Sequence, residues 1–401
     1  MSRILLAWEL GNGAGHLASL RPVAEALLAR GHRLTFAVQN LHAAASIYAG
    51  LDLALVPAPF VQSLQNFRQS PANFAEILMR FGYLDAGTLS GLLRGWRGLI
   101  ELSGAEVVVV DHAPTALLAA RGLPLRCMTF GNPFSVPPPV HPSPNMRPWI
   151  DLPAQQLLDS DALVLNTINS TLPKGAPPLA AVHELFDPAE QVFVGLPELD
   201  PYGPRSHAEY LGLHLGRSGE AAAQWPPGDT PGIFAYLRAG YPHAEACLAA
   251  LAGSGARCLI YLVGNAEPLI ARYRSPSVVF STTALDIDSV AAQCDLAVCH
   301  SGLGMVTAML GKGLPMLLLP TQLEQYLLAS KVAALGAAVV LTGEDRIPDV
   351  SGALARMSGN PQFRQAAREV AERETAVSVG TMVQRAVARI EALAASAREH
   401  A

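Results

Sequence analysis

Short apolar runs without polar alternation, each followed by a turn and a helical stretch, recur along this chain and constrain its fold more than any other feature. In the N-terminal half the runs are Ile4 to Trp8, Leu34 to Val38, Val107 to Val110, Cys127 to Phe130 and Ala162 to Leu165. A strand that is apolar at every position has both faces covered, which is the habit of parallel sheets flanked by helices. The helix Leu17 to Arg30 separates the first two runs, and Gly31 stops it. A second series follows: Ile233 to Leu237, Cys258 to Val263, Val278 to Phe280, Leu296 to Cys299, Met316 to Leu319 and Ala338 to Leu341. Between the two series the prolines and glycines of PELDPYGPRS and WPPGDTPG mark a linker. The chain therefore reads as α/β, with two doubly wound, Rossmann-like domains. Residues 1–198 make the first, 199–231 the linker and 232–380 the second. Residues 381–401 form a final helix with Val383, Val387, Ile390 and Leu393 at helical spacing.

Composition removes several classes of function. A chain of 401 residues has length for two domains, and 50% apolar against 15% charged residues suits a large core. The net charge is −5 with no Lys/Arg run, so nucleic acid is not an expected partner. Five cysteines without paired spacing fit reduced thiols in the cytoplasm better than a disulfide framework, and no CxxC suggests zinc. The sequence opens on a strand rather than a signal peptide, and no apolar run is long enough to span a membrane. A soluble, cytoplasmic protein is the expectation.

Three junctions carry chemistry. GNGAGH (Gly11 to His16) lies between a strand and a helix, where a dinucleotide fingerprint would sit. His16 replaces its last small residue, however, and the second strand ends in Gln39-Asn40 without a ribose-binding acid, so no NAD or FAD is expected. A neutral imidazole there can instead accept a hydroxyl proton. Asp111 directly follows four valines and so sits at the carboxyl end of a buried strand, where open α/β folds place their sites. Its neighbour His112 is an alternative base. No nucleophile elbow supports a Ser/His/Asp hydrolase. The third junction runs from the strand Leu296 to Cys299 through His300, Gly302 and Gly304 into a helix starting near Met305. Helix-start amides of Gly304, Met305 and Val306 favour an anion there. Asp286-Ile287-Asp288 precedes a helix and reads as an N-cap; no metal is expected.

These stretches resemble the GT-B glycosyltransferases of the UDP-glycosyltransferase and antibiotic-glycosyltransferase group. GHLASLRPVAEALLARGHRLTF is similar to that group's N-terminal motif. His300, Gly302, Gly304, Gly313, Pro315, Pro320, Glu324 and Gln325 match its donor signature. The resemblance implies two domains facing each other across a cleft, with the last helix returning to the first. It implies an inverting, metal-independent transfer of a hexose from a dTDP- or UDP-sugar, without cofactor, to a hydroxyl of an apolar small-molecule or lipid acceptor. Reaching a lipid would involve shallow membrane contact. It gives His16 the role of general base and Asp111 that of its carboxylate partner. His300 would contact the diphosphate, with Gly302, Gly304, Met305 and Val306 around it and Arg238 in reach. Leu285 would lie against the base, and Glu324 and Gln325 would bind sugar hydroxyls. Gly15, Phe81 and Phe134 fall on the acceptor side, among apolar stretches interspersed with Arg68, Arg80, Arg94 and Arg97. Departures are Ser301 for a glycine, Met305 for a Ser or Thr, Thr282 for a stacking Trp and Ala308 for a ribose-binding Glu. Without that Glu, dTDP should bind at least as well as UDP. The alternatives are a non-catalytic nucleotide-sugar-binding accessory protein and a nucleotide-sugar epimerase of the same fold. His32, in the turn after the first helix, reads as structural.

Overall fold

A computed structural model describes residues 1–11, 13–62, 67, 69–213, 221–342, 347–374 and 379–399, without the side chains of 379–381 and 399. Asn12 of the first glycine loop, Arg68 and the linker residues 214–220 lie outside the described residues. The chain divides into two compact units. The first comprises Met1–Val194, Tyr202–Leu211 and Val383–Ala401; the second comprises Gly195–Pro201 and Gly212–Met382. The stretch expected as a linker is thus shared between the units.

The first unit is built on a parallel sheet of β1 (Arg3–Trp8), β2 (Arg33–Val38), β3 (Ala54–Pro57), β4 (Val107–Asp111), β5 (Arg126–Thr129), β6 (Ala189–Phe193) and β7 (Glu209–Tyr210). Their spatial order is β3-β2-β1-β4-β5-β6-β7. The second unit holds β8 (Gly232–Arg238), β9 (Arg257–Val263), β10 (Val278–Ser281), β11 (Leu296–Cys299), β12 (Met316–Leu318) and β13 (Ala338–Val340), ordered β10-β9-β8-β11-β12-β13. In each sheet the order reverses between the first and fourth strands, so a switch point lies beside β1/β4 and another beside β8/β11.

The all-apolar runs are buried on both faces, as their composition requires. In the second unit Ile233, Ala235, Leu237, Leu296, Val298, Leu317 and Leu319 pack in one core layer. Phe234, Ala297, Cys299, Met316 and Leu318 pack in the layer on the other side. Alternate residues of one strand thus feed opposite layers, and each fully buried Val, Leu or Ile contributes roughly 1.5–3 kcal/mol.

One expected strand is absent. Ala162 to Leu165 lies inside the helix Ala154–Thr171, which buries Ser160, Asp161, Val164, Leu165 and Ile168. That spacing is helical, and four apolar residues cannot by themselves distinguish the two periods. The last helix, Val379–Glu399, is amphipathic as expected; Val383, Val387, Ile390 and Leu393 are buried. Among the described residues no helix is long and apolar enough to cross a membrane. His32 is structural: its Nδ1 accepts from the Ser2 amide at 3.2 Å, and its Nε2 meets Glu391 of the last helix at 3.1 Å.

Candidate active site

In the first unit the functional side chains gather where β1 and β4 end. The chain leaves β1 through Glu9, Leu10 and Gly11 and enters the helix Gly15–Ala29, whose second residue is His16. The last residue of β4 is Asp111, only 1% exposed, and its Oδ1 lies 2.9 Å from His16 Nδ1. Asp111 Oδ1 makes this close contact without accepting a well-aligned hydrogen bond. Close but poorly aligned pairs of this kind tighten when a catalytic site fills. Trp8 stacks on the His16 ring, with centroids 5.4 Å apart, and fixes its own indole by donating to the Leu10 carbonyl at 2.7 Å.

Two glycines make room for this pair. A Cβ on Gly11, whose φ is +89°, would stand 2.8 Å from His16 Nε2. One on Gly131, just after β5, would stand 2.8 Å from Asp111 Oδ1. Behind the pair His112 is buried with its ring centroid 6.1 Å from that of His16 and 6.4 Å from that of Phe134. Burial, with the His16 charge adding to it, pushes the His112 imidazole down to about 3. It is neutral at physiological pH and a poor proton acceptor, which disfavours it as the base. Of the expected acceptor residues, Phe134 therefore joins the cluster. Gly15 opens the His16 helix with free space at its Cβ position, and Phe81 is half-buried in the turn after the helix Phe74–Met79.

The second unit presents a different junction at its own switch point. His300 follows β11 and is buried, with both ring nitrogens engaged by main chain. Nδ1–H donates to the Leu319 carbonyl at 3.0 Å, and Nε2 accepts from the Arg238 amide at 3.2 Å. Tyr241 packs edge-on against the ring at 4.9 Å. Burial holds the imidazole below its ordinary value, with nearby Arg238 adding to the shift and the Leu319 carbonyl opposing it. This differs from the expected contact with a phosphate: His300 has no N–H to spare, and ties the ends of β8, β11 and β12 together.

The helix Leu303–Gly311 begins at Gly302 without a side-chain cap. Its first amide to be taken up is that of Val306, which donates to the Gly302 carbonyl at 3.0 Å, so Val306 drops from the expected donors. The amides of Leu303, Gly304 and Met305 precede the intrahelical ladder, and a Cβ on Gly302 or Gly304 would meet nothing within 4 Å. An open, positively polarised helix start of this kind suits an anion.

The remaining donor candidates divide. Arg238, at the end of β8, is exposed beside His300. Glu324 is half-buried in the first turn of the helix Leu323–Ala334. Gln325 is buried, and its Oε1 accepts from both the amide and hydroxyl of Thr321, at 2.9 and 3.0 Å. Leu285 belongs to the core, and its backbone forms a bridge with Ala221. Met305 is half-buried against the same core, and Ala308 lies within it. Asp286 caps the helix Ile287–Ala291 by accepting from the Ser289 amide, and Asp288 pairs with Lys312. The sequence reading did not single out Trp8, Glu9 or Tyr241. Glu9 was detectable by the signal that found Asp111, an acid directly after a buried apolar strand.

Residues 247–390 match the family model described as Erythromycin biosynthesis protein CIII-like, C-terminal domain. No curated protein matches the chain. Among solved structures, the glycotransferase of kitacinnamycin is similar over 98% of this chain and 99% of its own, with a TM-score of 0.69 and 19% identity. CalG4, the calicheamicin glycosyltransferase, is similar over 98% of both chains, with a TM-score of 0.68 and 18% identity. The spinosyn rhamnosyltransferase SpnG, complexed with spinosyn aglycone, gives 0.65 and 18% over 96% of this chain and 100% of its own. SpnG has also been solved with thymidine diphosphate. At such identities the likeness is one of fold.

Proposed function

On the premise that this chain has the GT-B fold and carries an erythromycin biosynthesis protein CIII-like domain over residues 247–390, we propose that it is a natural-product glycosyltransferase. It moves a hexose from a dTDP- or UDP-sugar to a hydroxyl of an apolar small molecule, with inversion and without a metal or cofactor. The observation that carries this reading is the 2.9 Å contact of His16 with the buried Asp111 at the first switch point. His16 takes the acceptor hydroxyl proton as the oxygen attacks the anomeric carbon. The bond from that carbon to the diphosphate oxygen breaks, and the diphosphate leaves with the electron pair. Asp111 stabilises the imidazolium and orients the ring.

The leaving group needs charge stabilisation as it departs. The amides at the start of Leu303–Gly311 supply it from fixed positions, with no reorganisation during the step. His300 serves by holding that junction in place. Glu324 and the amide nitrogen of Gln325 are assigned to sugar hydroxyls, and exposed Arg238 to the diphosphate. Ala308 offers the ribose no acceptor, so dTDP-sugars should be used at least as well as UDP-sugars. An accessory, non-catalytic protein would have no use for the His16–Asp111 pair.

The test is transfer, or donor hydrolysis, by the purified protein with dTDP- and UDP-hexoses, in the presence of EDTA. The expected result is turnover with dTDP donors at least equal to UDP donors. It should fall about 10²–10⁴-fold in His16→Ala with donor affinity nearly unchanged. Unchanged turnover in that variant removes the mechanism, and loss in EDTA removes its metal independence.

A further inference from the structure

Only two non-glycine residues among those described have a left-handed backbone: His112, with φ +50°, and Ser301, with φ +59°. Each follows the fourth strand of its sheet at the point where strand order reverses. Each is buried, and each has a polar atom, His112 Nε2 or Ser301 Oγ, without a hydrogen-bond partner among the described residues. Backbone strain and an unsatisfied buried polar group both cost stability, and a side chain that brings both usually answers to function. At Ser301 the comparison is simple, because glycine would remove both costs.

The loop explains what the hydroxyl is for. From Cys299 to Met305 the chain reads Cys-His-Ser-Gly-Leu-Gly-Met. The nitrogens of His300 are taken by main chain, and the next hydroxyl, that of Thr307, is turned back onto the Leu303 carbonyl at 2.9 Å. Gly302 cannot cap the helix, and Leu303, Gly304 and Met305 bring no side-chain N–H or O–H. Ser301 therefore holds the one uncommitted side-chain O–H of this loop, 1% exposed and two residues ahead of the helix that starts at Leu303.

We infer that Ser301 is a binding residue for the diphosphate of the donor, its Oγ–H donating to a phosphate oxygen beside the helix-start amides. The inference rests on the proposed function, since it places a nucleoside diphosphate at that helix.

Calorimetry with dTDP and with UDP on the unaltered protein, Ser301→Gly and Ser301→Ala tests it. Glycine relieves the backbone, so Ser301→Gly should melt no lower than the unaltered protein. Its Kd for both nucleotides should nevertheless rise about 10–100-fold, the effect of one hydrogen bond to a charged group. Ser301→Ala, which keeps the strain and loses only the hydroxyl, should show the same rise. Kd values within about twofold of the unaltered protein in both variants overturn the inference and leave the proposed function standing. No binding of either nucleotide by the unaltered protein overturns both.

Discussion

Glu9 follows Trp8 out of the first strand and is a buried acid that the proposed chemistry does not use. Thr115 donates to it twice, from Oγ1–H at 2.6 Å and from its amide at 3.2 Å, and Thr115 in turn meets the Tyr83 hydroxyl at 2.9 Å. Burial outweighs these bonds and pushes the carboxyl up to about 8 from an ordinary 4.5. Below 4.5 the group is protonated whether folded or unfolded, and its stabilising contribution is complete. Between 4.5 and about 8 only the unfolded chain ionises, so stability drains away as pH rises. Glu9→Gln cannot ionise. The melting temperature of the unaltered protein relative to Glu9→Gln should therefore fall between about pH 5 and about pH 9, at roughly 2–4 °C per kcal/mol or less for a chain this long. A constant difference across that window would mean that Glu9 is charged in the folded protein. At this scale the sequence was partly legible. His16 and Asp111 stood out because each follows an apolar strand or its turn, and the structure brings them within 2.9 Å. The engagement of His300 was not legible, because its partners Arg238 and Leu319 come from other strands.

Elements decide how closely these side chains approach. Gly131 ends the run after β5, with φ +104° and its carbonyl accepting from the Val194 amide at 2.8 Å. Asp111 lies against its bare Cα, in the space a Cβ would take. Gly131→Ala should force the carboxylate off His16 and lower turnover by about 10²-fold, the scale of an ångström of misplacement. Its KM for the donor should change little, because the displaced group lies in the first unit. Turnover equal to that of the unaltered protein, measured well below the melting temperature, would show that the carboxylate's position is not critical. The apolar runs announced ten of the thirteen strands among the described residues. β3, β6 and β7 escaped, the last being only two residues long, Glu209–Tyr210. Ala162 to Leu165 misled because its helical burial period shows only over the full stretch from Ala154 to Thr171.

At the scale of the molecule, two series of strands were legible, while the path of the chain between them was not. The chain enters the second unit at Gly195, returns to the first for Tyr202–Leu211, and comes back to it again at Val383. Ion pairs fasten these returns: Arg385 and Arg389 reach Glu209 at 2.6 and 3.0 Å, and Arg30 reaches Glu391 at 2.7 Å. Exposed pairs of this kind add little each; the apolar face of Val383, Val387, Ile390 and Leu393 carries the attachment. At roughly 1.5–3 kcal/mol per side chain it is comparable to the whole stability of an ordinary domain. A chain ended at Met382 should lose the thermal transition of the first unit in calorimetry. Melting within a few degrees of the intact protein would show that the helix is dispensable.

The same threading reverses the order of birth and completion during synthesis. The second unit draws on nothing beyond Met382 in this chain, whereas the first needs a helix translated after the whole of the second unit. The half that leaves the ribosome first is thus the half that finishes last. Until the ribosome has released that helix, its docking face on the first unit stays uncovered, a natural place for a chaperone to hold the nascent chain.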